Sequence, residues 1–209
     1  MTSFVVLIPV KASETKSRLS SVLSRTERAD LGSLLLSGVL GALGEAGLLA
    51  VTYVVSSDPN ALRLASNSGA GVVRETKDEG VNSAVNAGVD ATGRPARVLV
   101  LPSDLPLLRA SEVRRTLSLG RLLNIVIAPS VSFNGTNALL FSPRDGLLLS
   151  YDKDSFWNHV RASGRLGLSV GVSSEPGLIF DLDSPEDLRN LARSRAKTPL
   201  VAFARRATA

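Results

Sequence analysis

Three aspartates placed just after apolar runs carry the most chemical information in this chain. Residues 98–106 read Val-Leu-Val-Leu-Pro-Ser-Asp-Leu-Pro, which sets Asp104 at the end of a strand-like stretch. Residues 178–186 read Leu-Ile-Phe-Asp-Leu-Asp-Ser-Pro-Glu, which sets Asp181 and Asp183 at the end of another. A strand that runs into a carboxylate exposes that charge at the C-terminal edge of its sheet, where open α/β folds bind ligands. Residues two apart on an extended segment point the same way, so Asp181 and Asp183 can address one ion together. Hard oxygen ligands without His or Cys suit Mg2+ or Mn2+, the ions that accompany nucleotide phosphates. The plainer reading of each aspartate is a turn or a helix cap, since Ser-Asp-Leu-Pro is good turn material and Ser184 precedes a helix start.

A basic segment strengthens the phosphate reading. The first apolar run leads into Lys11, Lys16, Ser17 and Arg18. Lys16 can neutralise a phosphate as a point charge, and Arg18 can grip two oxygens at once. The glycines of a Walker A loop are missing, so this is not that motif. Gly69 and Gly71 precede a strand, whereas a dinucleotide fingerprint must follow one, so they mark a turn. Asn134-Gly-Thr136-Asn137 is turn chemistry opening an apolar strand, or else a polar pocket for an anionic second substrate. His159, the only histidine, falls on a helical segment and reads as packed or solvated rather than catalytic. Without cysteine there is neither a disulfide framework nor a thiolate nucleophile, and no nucleophile-elbow motif supports a Ser–His triad.

The elements that must position these groups alternate along the chain. Strands are expected at 4–10, 50–56, 71–75, 97–101, 124–128, 138–142, 168–172 and 178–181, rich in Val, Ile and Leu as befits strands covered on both faces. Helices are expected between them. Ser24 and Glu27 have capping-box spacing, and Asp58-Pro59 and Ser184-Pro185 place a cap ahead of an N1 proline. Further helices are expected at 81–91, 111–119 and 155–163. The alternation implies an α/β fold with a mainly parallel sheet, and the less regular stretch 124–172 leaves room for an antiparallel portion.

At 209 residues, 44% hydrophobic and 21% charged, the chain reads as one globular domain, 1–195, followed by a basic tail, 196–209, expected to be an arm or disordered. The formal charge of +5 fits polyanionic partners, but six of the basic residues lie between Arg189 and Arg206. Aromatics at 4% leave few stacking platforms, which argues against nucleic acid. The apolar stretch 34–55 is broken by Glu45 and several glycines and reads as a buried helix followed by a strand, not a membrane span. The expectation is a cytoplasmic protein, off the membrane, with a homodimer left open.

Taken in order, the blocks Ile8-Pro-Val-Lys11 with Lys16-Ser-Arg-Leu, Glu75 with Val81-Asn82, 101–106, Ile127-Ala-Pro-Ser130, Gly135-Thr-Asn-Ala-Leu139, Ser155-Phe156 with His159, and 181–188 carry a resemblance. The chain resembles the 2-phospho-L-lactate guanylyltransferase family of coenzyme F-420 biosynthesis, including its phosphoenolpyruvate-using members, from about residue 4 to 190. The resemblance implies a single-domain Rossmann-like nucleotidyltransferase (GT-A-like) fold with a mixed, mainly parallel sheet. It implies transfer of GMP from GTP to a small phosphorylated acid, with release of pyrophosphate. By the same resemblance Lys16, Arg18 and Asp104 would be catalytic, and Pro9, Lys11, Lys16, Ser17, Arg18, Glu75 and Asn82 would bind GTP. Thr136, Asn137, Asp152 and Ser155 would hold the acid, and Asp104, Asp181 and Asp183 would hold Mg2+ or Mn2+. Glu75 could accept the N1 and N2 hydrogens of guanine and so reject adenine. Where the family usually has Phe-Gly-Pro-x-Ser, residues 151–155 read Tyr-Asp-Lys-Asp-Ser, so a carboxylate replaces a glycine beside an anionic substrate. The rival readings are a nucleotidyltransferase for a sugar phosphate or molybdenum-cofactor precursor, and a non-catalytic nucleotide-binding protein.

Overall fold

The computed structural model of the chain describes residues 4–11 and 16–208. Its strands are β1 (Phe4–Pro9), β2 (Thr52–Ser56), β3 (Gly71–Arg74), β4 (Arg97–Val100), β5 (Ile125–Pro129), β6 (Thr136–Phe141) and β7 (Val170–Val172). They form one seven-stranded sheet in the order β3-β2-β1-β4-β6-β5-β7. All pairings are parallel except those of β6, which runs antiparallel to both β4 and β5. The antiparallel portion expected within 124–172 is therefore this one reversed strand.

Helices cover both faces. They are α1 (Arg25–Glu45), α2 (Pro59–Ser68), α3 (Val81–Ala91), α4 (Ala110–Leu119), α5 (Ser155–Arg165), the single turn α6 (Pro176–Ile179), α7 (Pro185–Ala192) and α8 (Pro199–Ala207). The caps are those the sequence announces. The Ser24 hydroxyl accepts from the Glu27 amide, with the Glu27 carboxylate returning to the Ser24 amide. Asp58 accepts from the Asn60 amide, and Ser184 pairs reciprocally with Asp187.

The central strands alternate between two cores. Val6 and Ile8 point to one face with Leu40, Val54 and Leu99, whereas Val5 and Leu7 point to the other with Val85, Val98 and Ile127. A third cluster lies off the sheet, where Leu19, Leu31, Leu182, Leu188, Leu200, Val201 and Ala204 meet.

Two expectations fail. Residues 178–181 are not a strand: they leave the turn α6 and run extended into Asp183. A four-residue apolar run has no period that separates strand from helix, and here Pro176 at the first helical position sets the helical turn. Segment 196–209 is not an arm over its described length. Thr198 caps α8, whose Leu200, Val201, Phe203 and Ala204 are buried against α1 and α7. The apolar face of α8 outweighs the charge of its arginines.

Chain direction locates the ligand crevice. From β1 the chain moves outward to β2 and β3, then returns to β4 on the opposite side of β1. That reversal parts the loops after β1 and β4, leaving a crevice at the C-terminal ends of the strands. Because β6 is reversed, its N-terminal end, Thr136 and Asn137, reaches the same edge.

Candidate functional site

A cleft of about 800 Å3 opens at this edge. One lip is built from the segments after β1 and β4 and the segment before α7. Lys16 adopts a left-handed conformation, φ 63°, at the head of a short turn that buries Leu19 in the third cluster. Its ammonium donates to Asp104 Oδ2 at 2.7 Å and to Asp183 Oδ1 at 2.7 Å. Arg18 Nη1 lies 3.5 Å from Asp183 Oδ2, with the Arg18 side chain 77% exposed. The amide of Leu182 donates to the Asp104 carbonyl, which stitches the two aspartate segments together. Leu182 itself is fully buried, so its neighbours Asp181 and Asp183 are turned away from the third cluster.

A strap from 173 to 183 is fastened at several points. Thr116 and Ser173 share a hydrogen bond, Arg115 grips Glu175 with two nitrogens, and the Gly177 amide donates to Glu112. A Cβ at Gly177 would stand 2.5 Å from the Leu107 carbonyl oxygen, so the strap fits α4 only with glycine there. Asn137 completes the fastening, donating to the Ile179 carbonyl at 2.9 Å and to Asp181 Oδ1 at 3.2 Å.

The electrostatics follow from this geometry. Burial alone would lower the Lys16 ammonium, but Asp104 and Asp183 outweigh it and hold its pKa above the ordinary value. Burial alone would raise Asp183, but Lys16, then Arg18 and Lys11, bring it below the ordinary carboxylate range. Asp181 goes the other way: burial pushes it up, the Asn137 hydrogen bond resists, and the charges of Asp104 and Asp183 add to the rise. Among the described residues, the cations paired with this half-buried acidic set are Lys16, on Asp104 and Asp183, and Arg18, on Asp183.

The expected metal set is thus drawn together without forming a cage. Among the described residues, no three His, Asp or Glu side chains are arranged as ready ligands for an ion. Two close, partly buried carboxylates draw in a cation, and Lys16 lies between them. The donor chemistry still fits Mg2+ or Mn2+. Only hard oxygens are present, and Asp104 Oδ1 is a buried acceptor with no hydrogen-bond partner.

The facing wall pairs neutral side chains with a charged loop, Asp152, Lys153 and Asp154. Thr136 and Asn137 line it, with the loop 151–155. A turn in which Ser130 and Ser132 donate to Asn134, and Ser130 accepts from the Gly135 amide, leads into Thr136. The turn and pocket readings of this segment therefore hold together. Helix α5 begins at the cleft with Ser155, and its N-cap residue supplies no side-chain hydrogen bond. Helix α3 likewise starts there at Val81 behind an uncapped Gly80, φ 91°. Two helix starts without a side-chain cap turn their first amides towards this wall, an arrangement suited to phosphate or carboxylate, with Asp152 and Asp154 opposing it and Lys153 in support. The Tyr151 hydroxyl and Asp104 Oδ1 are the buried side-chain polar atoms left without a partner among the described residues, and both belong to cleft residues.

Pro9, Lys11, Lys16, Ser17, Arg18, Asp104, Asp183, Thr136, Asn137, Asp152 and Ser155 all line the cleft. Asp181, Glu75 and Asn82 do not. Asp181 meets Asn137 just behind the lip. Asn82 accepts from the Tyr151 amide at 2.9 Å and donates to Asp152 at 3.4 Å, so it supports the loop 151–152. Glu75 follows the edge strand β3, where burial, then Asp78 and Glu79, raise its pKa. The Ala12–Thr15 part of the basic segment lies outside the described residues. What the sequence reading missed is the pair of uncapped helix starts and the tie between His159 and Thr136, which no spacing announces.

Comparison with known proteins gives the same picture. The family described as "Guanylyl transferase CofC like" matches residues 4–199. A phosphoenolpyruvate guanylyltransferase of Rubrobacter xylanophilus is 39% identical over 92% of this chain and 95% of its own. A 3-phospho-D-glycerate guanylyltransferase of Phenylobacterium zucineum is 36% identical over 85% of this chain and 84% of its own. A 2-phospho-L-lactate guanylyltransferase of Methanothermobacter thermautotrophicus is 33% identical over 87% and 81%. In fold, the chain is similar to a crystal structure of the nucleotide-diphospho-sugar transferase type from Desulfovibrio desulfuricans G20. The TM-score is 0.77 at 16% identity, covering 99% of this chain and 95% of that one.

Proposed function

The chain belongs to the CofC-like guanylyl transferase family, and from that premise we propose that it joins the GMP moiety of GTP to the phosphate of a small phosphorylated acid. The candidates are phosphoenolpyruvate, 2-phospho-L-lactate and 3-phospho-D-glycerate, the acids in the names of its relatives. The product would serve coenzyme F-420 biosynthesis. One observation carries this reading: the Lys16–Asp104–Asp183 cluster stands across a single cleft from a wall of Thr136, Asn137 and the loop 151–155, where two helices start without a side-chain cap.

In the proposed reaction an oxygen of the acid's phosphate attacks the α-phosphorus of GTP. A new P–O bond forms, the bond from the α-phosphorus to the β-phosphate oxygen breaks, and pyrophosphate leaves. The attacking oxygen is already anionic near neutral pH, so no general base is needed. That accords with a cleft in which His159 is buried behind the wall. Catalysis rests on positioning and charge neutralisation. Lys16 and Arg18 would stabilise the departing pyrophosphate, and Lys11 and Ser17 would steady the GTP phosphates with the backbone at Pro9. Thr136, Ser155 and the amides at the start of α5 would hold the acid. Asp104, Asp181 and Asp183 would hold Mg2+ or Mn2+, which would supply positive charge to offset the phosphates.

Pyrophosphate release from GTP, measured separately with the three acids and Mg2+, tests the reading. Turnover with at least one acid and GTP, and far less with ATP, is the expected result. Silence with all three removes the proposal and favours a nucleotide-binding role.

A further inference from the structure

His159 is fully buried, yet both ring nitrogens are engaged, and each contact lies on a different part of the acid-facing wall. Nε2 is 3.0 Å from the Ser150 amide nitrogen, and Nδ1 is 3.1 Å from Thr136 Oγ1. The Tyr151 ring packs edge-on against the imidazole, centroids 5.0 Å apart. A backbone amide can only donate, so Nε2 must be the bare, accepting nitrogen. In a neutral ring the proton then sits on Nδ1 and is donated to Thr136. Burial lowers the pKa of His159 to about 4, which keeps the ring neutral at cellular pH. Having accepted one hydrogen bond, the Thr136 hydroxyl still carries its own proton, and among the described residues that proton has no acceptor. Thr136 lines the cleft.

We infer that His159 is a positioning residue for the acid substrate: its Nδ1–H tautomer, fixed by the Ser150 amide, turns the Thr136 hydroxyl into a hydrogen-bond donor aimed at an anion in the cleft. The imidazole thereby joins three parts of that wall. Thr136 comes from β6, Ser150 opens the loop 151–155, and the ring itself rides on α5, whose first residue is Ser155. The role in acid binding rests on the guanylyltransferase reading, whereas the tautomer does not.

Two measurements test this. As the chain has one histidine, long-range proton–nitrogen correlation spectra of the uniformly 15N-labelled protein contain a single native imidazole. The expected pattern at pH 7 is a neutral ring protonated on Nδ1, the minor form of free histidine. A ring protonated on Nε2, or on both nitrogens, overturns the inference whatever the enzyme's activity.

The second measurement separates the two contacts. His159→Asn keeps an amide nitrogen near the Nδ1 position, and His159→Gln keeps an oxygen near the Nε2 position. Loss of one hydrogen bond from a buried pair corresponds to a factor of about 10. KM for the phosphorylated acid is therefore expected to rise about 10-fold in His159→Gln and about 2-fold in His159→Asn. KM for GTP should stay within about 2-fold in both. In a Thr136→Val background the difference between the two variants should vanish. A merely structural histidine would raise both KM values together, or leave the difference intact without the threonine hydroxyl, and either result overturns the inference. If neither variant folds, or the unsubstituted protein turns over no acid, the tautomer decides alone. The second case counts against the function, not against the histidine.

Discussion

The two sides of the cleft are held together by opposite means. The lip around Lys16, Asp104 and Asp183 is a knot of full charges, in which burial acts against Lys16 and Asp183 and their ionic partners outweigh it. The wall around Thr136, His159, Ser150, Tyr151 and Asn82 is a chain of neutral hydrogen bonds and ring contacts. A charged knot can yield to an incoming cation or polyphosphate, because its members exchange one ionic partner for another. A neutral chain keeps donors in register, and its worth lies in geometry. The contrast fits a reaction that needs a strong field at one substrate and careful placement of the other.

The largest effect should come from cutting the knot. Asp104→Asn removes a charge shared by Lys16 and by any bound cation, and turnover should fall by about 100-fold or more. Steady-state pyrophosphate release at saturating GTP reads this, and a loss below about 10-fold would mean the lip is not the reacting side.

The wall should show itself instead in its response to acid. The folded-state pKa of His159 is lowered to about 4 from an ordinary 6.5, so the unfolded chain binds the extra proton in that interval. Stability is therefore full above pH 6.5 and falls towards pH 4, by roughly 3 kcal/mol from this group. Urea midpoints of the protein and of His159→Phe across that range should diverge at the top and converge at the bottom. Parallel curves would dismiss the buried neutral ring.

Smaller again is the strap behind the lip. Gly177→Ala forces a methyl against the Leu107 carbonyl and the Glu112 carboxylate, and should cost about 1–3 kcal/mol in thermal unfolding. Turnover should fall with it, as Asp183 loses its register; an active but destabilised variant would separate strap from lip. On the wall, Asn82→Ala should raise KM for the acid by about 2- to 10-fold with kcat nearly unchanged, since one neutral hydrogen bond is lost. Glu75→Gln should do least. The residue stands off the cleft lining, so the ratio of GTP to ATP turnover is expected to hold within about 2-fold. A collapse of that ratio would return Glu75 to the guanine site.

Most of the frame was readable from local chemistry. Caps at Ser24, Asp58 and Ser184 and the apolar runs of the seven strands announce elements that the structure contains, because caps and periodicity act over a few residues. The cleft was readable in part: Asp104, just after β4, must emerge at the sheet's C-terminal edge, whereas Asp181 and Asp183 follow a helical turn that the run 178–181 does not announce. The failures share a cause. The turn holding 178–179 is set by Pro176 and fastened to the distant α4, and helix α8 is buried by the distant α1 as well as by its neighbour α7. For α8 a local signal did exist. Thr198-Pro199 repeats the cap-and-proline device of Ser184-Pro185, within a stretch whose arginines dominate its composition. Nothing local announces that Lys16 will lie between Asp104 and Asp183, at separations of 88 and 167 residues, or that His159 will meet Thr136.

The third cluster has a practical corollary. Leu19, just past the cationic turn, and Leu182, between two of the aspartates, belong to one buried cluster with side chains that α8 supplies. Peeling the last helix away, whether by proteolysis, a truncated clone or a bulky fusion, would slacken both ends of the ionic knot at once. The sheet would survive such an injury, so the molecule could look folded by circular dichroism while its catalytic machinery had already drifted apart.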